Sequence, residues 1–414
     1  MKIVLTSVGS AGDVVPFLAL AVELKQAGHQ VKMLSNEIYR GDFEAEKIKF
    51  ASTGVPMDID RLGKMMMNIK RLNKIRQYIR VVDEVVLYEG ERLYNDVLRE
   101  SKGFDFAVCH TFDVIGQHAI LANRIPWAAV IYCPGMIPTA YSGPMEFPNL
   151  GKPLNRLLWQ VAKTTMWPID HTTRKFVKKL NGHARKTSVF GNFSPFLNLV
   201  ASSGHVCEIH PDLPETFFVT GEWYLHREGY TPPNELIDFI RNAKPDVAFT
   251  FGSVSGDDGQ EIAKTFVEAA RKSGLRAIIQ RGWANIETDG SQDHVFFAGY
   301  IPHEYLFKHV RLVVHHGSAG STLAACREGV ASVVVDHIAD QKYYGITLHD
   351  LGVGTKPIPR AKMTSDILAK HMDYVLKHPE MIQKARMIGA KIKDENGPKR
   401  AMELIEQHAM SMIN

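Results

Sequence analysis

The residues best suited to chemistry stand in two glycine-rich segments, one in each half of the chain. The later one reads Val314-His315-His316-Gly317-Ser318-Ala319-Gly320-Ser321-Thr322-Leu323. It follows a short apolar run and leads into helix-forming residues. Small residues let a backbone approach a ligand closely, and the first amides of a helix carry a partial positive charge of about 0.5, so the segment reads as an anion site. The hydroxyls of Ser321 and Thr322 add donors, and a histidine at a strand end can donate to a phosphate oxygen. A capped helix after a glycine turn would use the same residues without a ligand.

The earlier segment, Gly9-Ser10-Ala11-Gly12-Asp13-Val14-Val15-Pro16, joins a first strand to a first helix. As a dinucleotide fingerprint it is poor, because Ala11 stands where a close-approach glycine is needed. It reads better as a turn presenting a carboxylate. A hydroxyl that is to act as a nucleophile needs a base within hydrogen-bond reach, and Asp13 follows the carboxyl end of the strand, where such a base could stand. A plain helix cap is the alternative for Asp13. His110 and Asp113, after the run Phe106 to Cys109, are candidate helpers, with Ser10 and Gly12 beside them.

These residues must be held by alternating strands and helices. Short β-branched runs at residues 3–6, 30–35, 106–109 and 127–132 alternate with helical periods such as 14–27, and 59–98 reads as mostly helical. A second series follows at 247–251, 277–280, 295–298, 312–315 and 332–335. This is the pattern of parallel sheets wrapped by helices. We expect an α/β chain with an N-terminal domain at residues 1–220, a linker at 221–240 rich in turn residues, a second domain at 241–393, and a terminal helix over 394–414 packing back on the first domain. A length of 414 residues suits two such domains. Ligands of doubly wound sheets bind beyond the carboxyl ends of the strands, which here means the cleft between the domains.

Composition removes other classes. The hydrophobic fraction of 45% and charged fraction of 23% are those of a globular protein. A net charge of +4 does not fit nucleic-acid binding. Cys109, Cys133, Cys207 and Cys326 are dispersed and form no metal-ligand pair. With an opening that reads as a strand, they place the protein in the cytoplasm as an expectation. Two basic stretches, Arg61 to Arg80 and Arg174 to Lys186, are either solvated faces or sites of peripheral contact with an anionic membrane. Met57, Met65, Met66 and Met67 with Phe147, Trp159 and Trp167 are either core or soft, adaptable apolar surface for a lipophilic ligand.

The later segment also resembles the nucleotide-sugar signature of UDP-glycosyltransferases with the two-domain GT-B fold. The likeness runs from Gly299-Tyr300-Ile301-Pro302-His303 through His315 to Thr322, then Asp336-His337-Ile338-Ala339-Asp340-Gln341, Gly352-Val353-Gly354 and Pro357-Ile358-Pro359. The pattern is similar to bacterial and sterol-type enzymes and to those acting on macrolides and glycopeptides. The resemblance implies that His315 contacts the diphosphate, with His316 beside it and Gly317, Ser318, Ala319, Gly320, Ser321 and Thr322 cradling the phosphates. It implies that Tyr300, Ile301 and His303 lie at the base, that Gly252 and Ser253 reach the diphosphate from another strand, and that Trp283 walls the pocket. Asp340 and Gln341 would bind sugar hydroxyls, and Asp13 would be the base. Leu323 stands where many members carry a ribose-binding glutamate, and Ser318 replaces a common glycine.

The expectation is an inverting transferase moving a hexose, glucose first, from a UDP-sugar to a hydroxyl of a sterol, terpenoid, polyketide, flavonoid or hydroxy-acyl lipid. No cofactor and no metal are expected. The competing readings are a non-catalytic nucleotide-sugar or lipid-binding protein of the same fold, or a sugar-nucleotide epimerase.

Overall fold

Each apolar run flanked by turn residues becomes a strand because burial on both faces favours continuous β-branched sequence. In the computed structural model they form two parallel sheets. The structure describes every residue except 57–75, 77–78, 81–82, 85–86, 89, 146, 148, 183, 186–187, 227–228, 252–258, 282–293, 338–339 and 414, with the side chains of 411–413 also outside it. The first sheet comprises β1 (Lys2–Thr6), β2 (Gln30–Ser35), β3 (Lys49–Ser52), β4 (Phe106–His110), β5 (Trp127–Ile131), β6 (Leu197–Val200) and β7 (Phe217–Val219), in the order β3-β2-β1-β4-β5-β6-β7. The second comprises β8 (Val247–Thr250), β9 (Ala277–Gln280), β10 (Val295–Ala298), β11 (Leu312–His315), β12 (Ala331–Asp336) and β13 (Ile358–Pro359), in the order β10-β9-β8-β11-β12-β13.

Both orders reverse direction beside their first strand. Ile3 pairs with Phe106 where β1 meets β4, and Leu312 pairs with Val247 where β11 meets β8. Crevices open at such switch points. Asp13 and His110 lie beyond the first, and His315 ends a strand of the second.

The helix Pro16–Gln26 starts where Pro16 suits a first helical position, its missing N–H being one of the unpaired four. Its Phe17, Leu20 and Leu24 share a core with Ile3, Leu5 and Val108. The terminal helix Gly397–Ile413 lays Ala401, Leu404, Ile405 and Ala409 on that same core, although the chain has by then crossed the second domain. His29 Nε2 meets Glu406 Oε1 at 2.9 Å beside it.

The domains are joined by buried polar contacts as well as chain. Tyr344 donates its hydroxyl to the Tyr132 carbonyl at 2.6 Å. Arg327 pairs with Glu222 of the connecting segment, stacks over Tyr224 at 3.5 Å, and meets Glu328 at 3.3 Å. Ser203 donates to Glu395 at 2.8 Å. All four cysteines are buried free thiols. Among the described residues no helix is long and apolar enough to cross a membrane.

Candidate active site

The loop after β1 is shaped around Asp13. Gly9 adopts φ +125°, and a Cβ there would fall 2.5 Å from Asp13 Oδ2, so only glycine fits. Tyr39 donates its hydroxyl to the Gly9 carbonyl at 3.0 Å, and Ser7 Oγ donates to the Asp13 carbonyl at 2.8 Å. Asp13 Oδ2 accepts from the Ser10 N–H at 2.8 Å and the Ser10 hydroxyl at 2.9 Å. One carboxylate oxygen is thereby held, and Oδ1 is left 4.0 Å from His110 Nε2. Ser10, expected at the substrate, instead orients the base; Gly12 is exposed beside it.

His110 is buried at the end of β4, and desolvation pulls its pKa down against the opposing charge of Asp13. The expected second helper is corrected. Asp113 is fully buried, accepts from the Thr6 hydroxyl and caps the helix Val114–Ala122 through the Gly116 N–H at 2.9 Å. Its carboxylate is turned into the domain because an Asp at that position satisfies the helix start.

At the end of β11, Gly317 (φ +84°) lets its N–H donate to His315 Nδ1 at 3.1 Å. A ring nitrogen that accepts carries no proton, so the neutral ring keeps its proton on Nε2. Burial pushes the His315 pKa down to about 3, with a small push from His303. The result is a fully buried neutral donor whose Nε2 has no partner. Thr322 Oγ1, also fully buried, is unpartnered beside it in the helix Ala319–Arg327.

The loop amides divide differently from the expectation. Thr322 N–H is already bonded to the Ser318 carbonyl at 2.9 Å. Ser321 N–H is capped, at a long 3.5 Å, by Ser318 Oγ. The Ala319 N–H turns to the Asp340 carboxylate. Gly320, exposed at the second helical position, keeps a free amide. Among the described residues, the donors left without a partner are therefore the Gly320 amide, His315 Nε2 and Thr322 Oγ1, on the positive end of a helix dipole where an anion could be held.

Asp340 completes the centre from the second domain. Desolvation pushes its carboxyl up to about 7, and the charge of Asp13 across the cleft adds to the shift. Near neutrality it can accept from a sugar hydroxyl when ionised and donate to one when protonated. Gln341 is buried and gives its Oε1 to the His337 N–H at 2.7 Å, so it shapes the loop that carries Asp340.

Other expected residues scatter. His316 is buried and bonded to the Thr250 backbone, with its Nδ1 left without a partner. The Ile301 side chain is core, and its carbonyl accepts from Gln280 at 2.9 Å. His303 stacks on Phe307 at 4.8 Å, and desolvation, aided by Arg327, pushes its pKa down to about 4. Tyr300 is 81% exposed, a free aromatic face. Gly252, Ser253 and Trp283 lie outside the described residues, as do Met57, Met65, Met66 and Met67 and most of the basic stretch at 61–80.

Sequence reasoning missed Tyr132, read only as the end of a strand. Its ring lies 5.1 Å from that of His110, its carbonyl holds Tyr344, and its buried hydroxyl has no partner. Burial, with the field of Asp13, pushes that hydroxyl well above the usual tyrosine range. A hydroxyl one residue beyond a buried strand, pointing at a switch point, was the available signal.

Residues 3–88 match a glycosyltransferase family 28 N-terminal domain, and residues 285–407 match an erythromycin biosynthesis protein CIII-like C-terminal domain. A sterol 3-beta-glucosyltransferase of Aspergillus oryzae is 28% identical over 98% of this chain, which spans about 30% of that protein's length. The O-mycaminosyltylonolide 6-deoxyallosyltransferase of Streptomyces fradiae is 28% identical over 99% of this chain and 98% of its own. Among solved structures, the glycotransferase of kitacinnamycin superposes with a TM-score of 0.73 at 15% identity, covering 98% of each chain. Two facing doubly wound domains, with these two matches at the corresponding ends of the sequence, place the chain in the family of GT-B glycosyltransferases.

Proposed function

We propose that the protein transfers a hexose, glucose first, from a UDP-sugar to a hydroxyl of a lipophilic acceptor, with inversion and without a metal. The observation that carries this is the pairing of Asp13, one oxygen held and one left, with the unpartnered neutral donor of His315 in the facing domain. In the reaction, the acceptor oxygen would bond to the anomeric carbon as its proton passes to Asp13 Oδ1. The bond from that carbon to the diphosphate oxygen would break, and the pair of electrons would leave with the diphosphate. His315 Nε2, the Gly320 amide and Thr322 Oγ1 would stabilise that leaving charge, the work a metal does elsewhere. The sterol and macrolide-type names of the relatives support an apolar acceptor.

The test is release of UDP from UDP-glucose in EDTA, with sterol, flavonoid and hydroxy-fatty-acid acceptors, for the native chain and Asp13→Asn. Acceptor-dependent release that survives EDTA and falls by about a thousandfold in the variant supports the reading. Nucleotide binding with no transfer to any acceptor would favour a binding protein of the same fold. Calorimetry showing that neither UDP nor dTDP binds would sink the proposal.

A further inference from the structure

The helix Lys152–Asn181 buries Asn155, Trp159, Ala162, Ile169, Thr173 and Val177, which share one face. On the opposite face Leu154, Leu157 and Val161 are 50%, 58% and 49% exposed, and Pro168 continues the row. Leu150 precedes it at 49%, and Trp167, 60% exposed, lies along its edge one turn beyond Lys163. The row is about 20 Å long at a rise of 1.5 Å per residue. A helix facing water ordinarily carries its charges in that band. Here the band from Leu154 to Pro168 carries no charge, its exposed polar residues being Gln160 and Thr164, and the exposed positions of the last two turns, Arg174, Lys175, Lys178 and Lys179, are all cations.

The charge on this helix is one-sided. Against Lys152, Arg156, Lys163, Arg174, Lys175, Lys178 and Lys179 it has a single acid, Asp170. Asp170 is half-buried and accepts from the Val189 N–H at 2.8 Å. Lys152 donates to the Tyr141 hydroxyl at 3.0 Å. Among the described residues, none of the other six cations has a carboxylate partner. The only histidine on the exposed face, His171, stacks on Trp167 at 4.9 Å. An apolar band, an aromatic at its edge and unpaired cations alongside make the composition of helices that lie in the bilayer interface.

We propose that the exposed face of the helix Lys152–Asn181 docks the protein on an anionic phospholipid surface. Leu154, Leu157, Val161 and Trp167 enter the headgroup boundary, and the cations from Arg156 to Lys179 meet lipid phosphates and carboxylates. Docking is independent of sugar transfer and is read without it.

The experiment is co-sedimentation of the whole chain with vesicles of phosphatidylcholine, with and without phosphatidylserine, at low and high salt. The expected result is binding to the phosphatidylserine vesicles that salt weakens. Arg174→Gln, Lys175→Gln, Lys178→Gln and Lys179→Gln together should weaken it by on the order of a thousandfold. Leu154→Glu with Leu157→Glu should abolish it, with melting temperature unchanged because both positions face outward. No binding to anionic vesicles, or equal binding by both variants, overturns the proposal. So does a sedimentation coefficient that falls in the leucine variant while vesicle binding persists, which would assign the face to a second copy.

Discussion

At the scale of single residues, the site is built from groups whose hydrogen-bonding capacity is deliberately incomplete. A buried donor without a partner contributes nothing to the free protein and costs its lost hydration. His315 Nε2, Thr322 Oγ1 and the Tyr132 hydroxyl are all in that condition, and all three border the cleft. Tyr132→Phe removes only the hydroxyl and keeps the ring against His110 and Trp223. We expect it to lower turnover about tenfold while leaving the melting temperature equal or higher, since the hydroxyl is unpaired in the folded chain. Steady-state kinetics and thermal unfolding check this together. Unchanged turnover with lowered stability would make Tyr132 a packing residue only.

At the scale of elements, two glycines decide whether the reactive groups can be presented at all. Gly317 takes φ +84°, and a Cβ there would meet the Gln341 carbonyl oxygen and Val334 Cγ1 at 2.7 Å. The loop after β11 and the segment that follows Asp340 are therefore packed closely enough that a side chain at 317 would force one of them to shift. Gly317→Ala should destabilise the second domain by about 1–3 kcal/mol. It should also weaken nucleotide binding, because the Gly317 amide fixes the His315 tautomer. Calorimetry with UDP, beside a denaturant titration, measures both effects. Retained affinity in a destabilised variant would show that the tautomer is set some other way.

At the scale of the whole molecule, the cleft concentrates groups held in unusual protonation states. Burial keeps His303, His315 and His316 neutral well below the ordinary histidine range and lowers His110 in the same direction. In the unfolded chain they take up protons near pH 6.5, so between about 6.5 and 4 the unfolded state binds more protons and stability falls as pH falls. Asp340 acts in the opposite sense from about 4 to 7, because its raised pKa makes the folded state bind the extra proton. The histidines outnumber it, so the melting temperature should drop on acidification from about pH 7 to pH 5. His315→Asn should make that slope shallower by up to about 1.4 kcal/mol per pH unit. An unchanged slope in the variant would mean that His315 titrates normally. The inter-domain contacts around Arg327 and Tyr344 belong to the same scale, since each is made by residues far apart in sequence.

What the sequence determined by itself is whatever depends on local pattern. The strands of both series could be read because buried parallel strands are continuous apolar runs, and the phosphate loop because small residues, hydroxyls and a helix start stand side by side. Asp13 was legible for the same reason. The strands β3, β6, β7 and β13 were not, since Lys49 and Asn198 break the apolar runs of β3 and β6 while β7 and β13 hold only three and two residues, and the helix Lys152–Asn181 is interrupted in pattern by Pro168. Tertiary structure alone decided which side chains face the cleft. Asp113 and His110 stand three residues apart on equal sequence grounds, yet one is consumed by a helix cap and Thr6 while the other meets Asp13. Direction and burial arise from packing between distant segments, and so do the neutral His315 and the raised Asp340, because desolvation is a property of the assembled cleft.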